Sequence, residues 1–291
     1  MPSIQEKRLA LFVDRDTEMA RFRQLLSPIG KPIMVVWGDS GLGKSSLLAR
    51  MVHECAANKI RKAEVLWTDT RNHDYLALMR KVRDDIGAEH FQRFTDQINY
   101  FTVPRYELQL SYGGGNITVG QHQNISGTVG DVAGIVVKDF MLNLPRDDKA
   151  IPEAERLVRL TDRFFEDFSA ISAEQVIVVF FDAVEKMSLE TERWICDEFV
   201  RRIDEGELPN VKLLAFGQRK PKLPNSRQFI DESQLQPIGE DHIVEYMIRR
   251  GVPEEIRNIA AGVILIASQG NPCVMANLVE GLMARFANRA G

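Results

Sequence analysis

Apolar residues change their spacing along this chain in a regular alternation. Unbroken apolar runs of strand length fall at residues 32–37 and 176–181, and mixed runs at 64–69 and 211–217 read the same way. The run at 176–181, Val-Ile-Val-Val-Phe-Phe, is the most hydrophobic in the chain and stops at Asp182. A central strand of a parallel sheet, covered on both faces, has this character. Between the runs the spacing is helical. It continues up to Leu26, where Pro28 and Gly30 stop it, and across residues 46–52. It recurs at Tyr75, Leu76, Met79, Val82 and Ile86, stopped by Gly87, then at Leu157, Leu160, Phe164 and Phe168, and across 191–203. Strand and helix in alternation predict an open, mostly parallel α/β sheet, whose ligands bind at the carboxyl ends of the strands.

After about Leu235 strand signals cease. Residues 240–250 are helical and close with Gly251. Pro253, Glu254 and Glu255 open a second helix with proline first and acids in the first turn, and Gly270 ends it. Asn271-Pro272 then caps and starts a last amphipathic helix through Phe286. The expected division is an α/β domain over 1–235 and a small all-helical module over 236–291.

One stretch, about 87–146, breaks the rhythm. It opens with aromatics, Phe91, Phe94, Tyr100, Phe101 and Tyr106, and its middle, 111–130, holds no Asp, Glu, Lys or Arg. There Ile117, Val119, Ile125 and Val129 alternate with glycines, which suggests small strands or a hairpin; a disordered Gly-rich loop is the alternative. The stretch reads as an insertion, centred on 103–146, in the α/β domain. An uncharged, β-prone edge is also a place where chains pair.

Composition narrows the classes. Of 291 residues 44% are hydrophobic and 27% charged, as in ordinary soluble domains. A net charge of −4 supplies no general attraction to nucleic acid or anionic membrane, so neither is an expected partner. Cys55, Cys196 and Cys273 lack paired spacing, which suggests a reducing compartment and no thiolate metal site; Cys196 and Cys273 read as core fillers. No leader pattern opens the chain, and the apolar run 260–267 is too short for a bilayer, so a cytoplasmic location is expected.

The chemistry centres on Gly38-Asp39-Ser40-Gly41-Leu42-Gly43-Lys44-Ser45, which fits G-x-x-x-x-G-K-[ST] between a predicted strand and a helix opening at Ser46. Its glycines let backbone N–H groups wrap a polyphosphate, and the following helix N-terminus faces the same anion. Lys44 would pair with the β- and γ-phosphates and Ser45 would ligate Mg²⁺. The expected core is therefore a three-layer P-loop NTPase core. Asp182, at the end of its apolar run, fits the Walker B carboxylate that holds Mg²⁺ through water. Position 183, where many ATPases carry the catalytic glutamate, is Ala183; the nearest acid is Glu185, either the residue that orients the attacking water or a solvated acid opening the next helix. Arg219 follows the run at 211–217 and is either a γ-phosphate sensor or a surface residue of a basic loop. His53 and His73 have no spacing that suggests catalysis or metal binding.

Together these features resemble the AAA-related STAND and ORC/Cdc6-like ATPases, over about residues 11–286. Phe12-Val13-Asp14-Arg15-Asp16-Thr17-Glu18-Met19 is similar to the family's F-V-G-R-E-x-E-L segment, with Asp14 where Gly is usual. The resemblance implies that Val13 and Arg15 lie at the adenine. Phe181-Asp182-Ala183-Val184-Glu185 resembles the STAND Walker B, and Phe216-Gly217-Gln218-Arg219 resembles the sensor-1 strand end, which gives Arg219 that role. Gly270-Asn271-Pro272 matches the G-x-P of a helical lid, placing Pro272 against the nucleotide. The implied ligands are ATP or ADP with Mg²⁺. The implied partner is a second copy of the chain or a separate effector chain. STAND proteins usually carry an effector domain and a repeat sensor, neither of which is found here, so the sequence is either a fragment or a minimal ATPase. The reading that follows is a slowly hydrolysing ATP switch controlling assembly or signalling, by analogy in prokaryotic defence or regulation. A DNA-associated loader and a nucleotide-bound scaffold without turnover are the alternatives, and Arg249 and Arg250 are the candidates for an arginine finger.

Overall fold

The computed structural model describes residues 9–69, 74–102, 108–112, 115–119, 152–221 and 228–287. In chain order the elements are α1 (Asp16–Leu26), β1 (Ile33–Trp37), α2 (Lys44–Ala57), β2 (Arg61–Leu66), α3 (Tyr75–Ile86), α4 (Gln92–Thr102), β3 (Leu108–Tyr112), β4 (Gly115–Val119), α5 (Glu153–Glu174) and β5 (Ile177–Asp182). Helix α6 follows as Leu189–Trp194, a wider π-type turn Ile195–Val200, and Arg201–Asp204. The chain then forms β6 (Val211–Gly217), β7 (Ile230–Gln234), α7 (Glu240–Arg249), α8 (Glu254–Ser268) and α9 (Pro272–Ala287). Residues 1–92 with 165–291 make one compact unit, and 93–164 make a second.

In the first unit five strands form one sheet in the order β2-β5-β6-β1-β7, every neighbouring pair parallel. This is the expected α/β class, a P-loop NTPase-like sheet between helical layers with a helical segment after it. Register decides what meets at its carboxyl edge: Asp182 stands opposite Phe216, and Gly217 opposite Trp37. The ends of β5, β6 and β1 are therefore level, and the residues that follow them emerge side by side.

Successive strand side chains point to opposite faces, and both faces here are buried. Met34, Val36, Phe180, Leu214 and Phe216 pack with Phe22 of α1 and Leu47, Met51 and Val52 of α2. On the other face Phe181 meets Phe199 of α6 at 6.1 Å between ring centroids, and Phe199 in turn meets Phe165 and Phe168 of α5. Helices α7, α8 and α9 have a core of their own, built on Ile243, Met247, Ile264, Met275 and Val279, against which Leu11 and Val13 also pack.

Two features of this unit differ from the sequence reading. β7, Ile-Asp-Glu-Ser-Gln, was not expected as a strand. Its single large apolar residue leaves no strand pattern, and it pairs only as an edge. β2 begins at Arg61 rather than at residue 64, because the whole of β5 from Ile177 onward pairs with it. In the second unit α4 is a helix where the aromatic opening of the insertion gave no element. The hairpin of β3 and β4, antiparallel from Leu108 opposite Val119 to Tyr112 opposite Gly115, agrees with the hairpin alternative. The rest of the Gly-rich stretch, 120–151, lies outside the described residues, as does His73.

The return of the chain from α8 depends on Gly270, at φ 70°. Its carbonyl accepts the Ile238 N–H at 2.8 Å, and a Cβ would stand 2.6 Å from Ile238 O and 2.8 Å from Pro237 Cβ. We predict that Gly270→Ala lowers unfolding stability by about 1–3 kcal/mol, read as a lower urea midpoint at unchanged m-value.

Candidate functional site

The loop between β1 and α2 opens with Gly38, whose N–H donates to Gly217 O at 3.3 Å, so it is hung on the end of β6 as well as of β1. Gly43, at φ 87°, is the residue from which α2 starts, so Lys44 and Ser45 stand in the helix's first turn. The Lys44 ammonium donates to Gly38 O at 2.6 Å and Asp39 O at 2.8 Å. Burial pushes its pKa below the ordinary lysine value, while Glu185, Asp182 and Asp39, in that order, pull it back up. Lys44 thus feels the charge of three carboxylates: one from its loop, one from the end of β5, and one from the turn beyond.

Asp182 Oδ1 accepts the N–H of Ala183 at 2.9 Å. Ala183 takes the left-handed conformation, φ 59° and ψ 43°, which turns the chain sharply off the strand into a single 3₁₀ turn, Val184–Lys186. The turn carries Glu185 across to β6, where its Oε2 accepts the Gln218 N–H at 3.0 Å. Burial is the main cause that raises Asp182 above the ordinary aspartate range. The Ala183 N–H lowers it, Glu185 raises it further, and Lys44 and Lys186 lower it. Arg219 is exposed beyond the same strand end, its side chain without a partner among the described residues.

Val13 packs into the core of the C-terminal helices. Arg15 is 6% exposed. Its Nη2 donates to Leu42 O at 3.0 Å and Gln236 O at 2.9 Å, and its Nη1 lies 3.3 Å from Asp14 Oδ2. Asp14 has φ 64°, a conformation that glycine takes freely and aspartate tolerates, which accounts for an Asp where Gly is usual. From the other side Asn271 Nδ2 donates to Ser40 O at 3.0 Å, and Pro272 opens α9 beside Gly43. A cleft of about 420 Å³ runs along this junction, lined among others by Gly38, Asp39, Leu42, Gln236, Gln269 and Asn271.

Arg249 and Arg250 are engaged within the chain. Arg249 donates to Phe12 O and pairs with Glu245, and Arg250 pairs with Glu280. Cys55 is buried and its thiol is pushed up to about 12, while partly buried Cys196 is pushed up to about 11; both shifts come chiefly from burial. Cys273 is exposed on the first turn of α9, not in a core as expected. The described residues contain no group of three or more His, Cys, Asp or Glu side chains able to hold a metal alone, and no helix long and apolar enough to cross a membrane.

Sheet order, glycine loop and level strand ends define a P-loop NTPase-like protein. The chain belongs to the AAA ATPase domain family, which matches residues 11–202. No curated protein sequence matches it. In structure it is similar to Cdc6p from Pyrobaculum aerophilum, with a TM-score of 0.49 and 13% identity over 98% of this chain and 62% of that one. It is also similar to a STAND protein with a tetratricopeptide repeat sensor from Pyrococcus horikoshii, with a TM-score of 0.46 and 14% identity over 90% and 28%. AMPPCP-bound DnaA from Aquifex aeolicus is a third, with a TM-score of 0.48 and 12% identity over 95% and 65%. The chain thus spans 62% and 28% of the length of the first two.

The raised pKa of Asp182 carries a stability consequence. The folded protein holds this proton more tightly than the unfolded chain, so Asp182 favours folding at low pH. That contribution is lost as pH rises from the ordinary value of 3.8 through the folded value. Ionised Asp182 therefore costs stability at neutral pH. Asp182→Asn, which keeps the acceptor for Ala183 N–H, is expected to raise the melting temperature at pH 7 and to lose that advantage as pH approaches 4. Paired calorimetric scans at the two pH values check both halves.

Proposed function

We propose that this protein binds Mg·ATP at the loop 38–45 and hydrolyses it slowly, as a switch controlling assembly or signalling. The observation that carries this reading is the loop 38–45 bonded through Gly38 N–H to the end of β6, where Glu185 also bonds, with Asp182 ending the neighbouring β5. Gly38 to Ser46 would line the phosphates, with Lys44 neutralising the β- and γ-phosphate oxygens. Val13, Arg15 and Pro272 would flank the nucleoside, Arg15 from its bonds to Leu42 and Gln236. A small divalent cation suits the hard oxygen donors of Ser45 and Asp182. When bound, Mg²⁺ would neutralise charge on the transferred phosphoryl group. Glu185 would orient water, and its bond to Gln218 N–H aims the carboxylate along the strand ends. Arg219, free of partners among the described residues, would sense the γ-phosphate.

Residues 236–291 would act as a lid over the nucleotide, so that loss of the γ-phosphate loosens the contact between lid and loop. Such a switch works by contacts that differ between two states. Its output would be passed to a second copy of the chain or to an effector chain. A second reading, a nucleotide-bound scaffold without turnover, draws on Ala183 and on the engagement of Glu185 by a backbone N–H.

Two measurements test this. Phosphate release from Mg·ATP is expected to be slow in the wild type and to fall about 10²-fold or more in Glu185→Gln and in Lys44→Ala, with nucleotide binding lost only in Lys44→Ala. Binding without release in the wild type would select the scaffold. For the switch, small-angle scattering is expected to differ between ATP and ADP; superimposable profiles would sink it.

A further inference from the structure

Three consecutive carbonyls of the loop are held from outside it. Asn271 Nδ2 donates to Ser40 O at 3.0 Å, Cys273 N–H to Gly41 O at 3.2 Å, and Arg15 Nη2 to Leu42 O at 3.0 Å. In a planar trans peptide the carbonyl of one residue and the N–H of the next point in opposite directions. Fixing these carbonyls toward Asn271, Cys273 and Arg15 turns the N–H groups of Gly41 and Gly43 to the opposite side of the loop, while the Leu42 N–H between them closes on Asp39 O at 3.4 Å within the loop. That is the side on which a phosphate-binding loop presents its donors.

The contact is built closely. Gly41 has φ 84°, and a Cβ on it would stand 2.5 Å from Asn271 Oδ1 and 2.7 Å from Nδ2. Asn271 also carries two functions on one amide. Its Oδ1 accepts the N–H groups of Cys273 at 3.0 Å and Val274 at 3.3 Å, capping α9, while its Nδ2 bonds the loop. Serine or aspartate would cap the helix as well. Serine is too short to reach Ser40 O, and ionised aspartate has no hydrogen to donate.

We propose that Asn271 and Arg15 are positioning residues that orient the phosphate-binding amides by restraining the loop's carbonyls, without themselves contacting phosphate. The inference rests on the reading of this loop as the ATP site. Docking of 236–291 and phosphate binding then share one set of hydrogen bonds and favour each other reciprocally.

The test is calorimetric titration of Mg·ATP into wild type, Lys44→Ala, Asn271→Ser and Asn271→Asp, with melting temperatures taken without nucleotide. Asn271→Ser keeps cap and charge, so its melting temperature is expected to stay within about 2 °C of wild type while Kd rises about five- to tenfold, the worth of one hydrogen bond. Asn271→Asp is expected to match or exceed that loss of affinity at an equally preserved melting temperature. Wild-type Kd in Asn271→Ser, with or without a lower melting temperature, would assign Asn271 to helix capping alone and overturn the proposal. Should Asn271→Ser fail to fold, Asn271→Asp decides in the same way, a wild-type Kd again overturning it. Failure of the underlying reading looks different: the wild type itself would then bind no better than Lys44→Ala.

Discussion

The parallel ladder from β5 through β6 to β1 is the constraint on which the site depends. Its register sets Asp182 opposite Phe216 and, one residue on, Gly217 opposite Trp37, and the loops that carry the candidate site leave from those ends. Register in a doubly buried sheet is not free to slip, because a shift of one residue would turn Phe180 and Phe181 to the wrong faces. Phe180 sits with α1 and α2, and Phe181 with Phe199. The two faces together therefore lock the height of Asp182. The bond from Gly38 N–H to Gly217 O and the bond from Gln218 N–H to Glu185 then carry that alignment into the loops.

The charges assembled there work against the fold that holds them. Burial lowers the pKa of Lys44 and raises that of Asp182, each against its charged form; the Ala183 N–H, Lys44 and Lys186 oppose this at Asp182, and Glu185, Asp182 and Asp39 oppose it at Lys44. A site designed for stability alone would not half-bury a lysine beside partly buried acids. The arrangement makes sense where a larger charge, such as a polyphosphate with its metal, is to be matched.

What could be read from the sequence follows from distance along the chain. β1, the glycine loop and α2 are contiguous, and each is announced by its own residues. Asp182 was legible because an unbroken apolar run ends on it. Glu185 was legible as an acid near the strand end, but its route to Gln218 was not, since nothing in Ala183 advertises a left-handed turn. β7 was hidden by its polar composition. The contacts of Arg15 with Leu42 and Gln236, and of Asn271 with Ser40, span 27, 221 and 231 residues, and no local pattern encodes them. Asn271 was visible only as a helix cap, which is half of what its amide does.

The segment 11–15 shows how two cores are made to act as one. Leu11 and Val13 belong to the apolar core of α7, α8 and α9, while Arg15, two residues on, is bonded to the phosphate loop and to the start of the C-terminal helical segment. Moving those helices away from the loop would strip Arg15 of a carbonyl partner in a position 6% exposed, and a buried charged donor left unpaired costs about 1–3 kcal/mol or more. The Asn271 contact with Ser40 would break in the same motion. A ligand can shift such an equilibrium only by its differential affinity for the two arrangements. A ligand that opens or closes this junction must therefore exceed the free energy of these shared bonds. On the proposed reading the loss of one phosphate at the loop would be felt by the helices, because the bonds restraining its carbonyls are the same ones that join the helices to it.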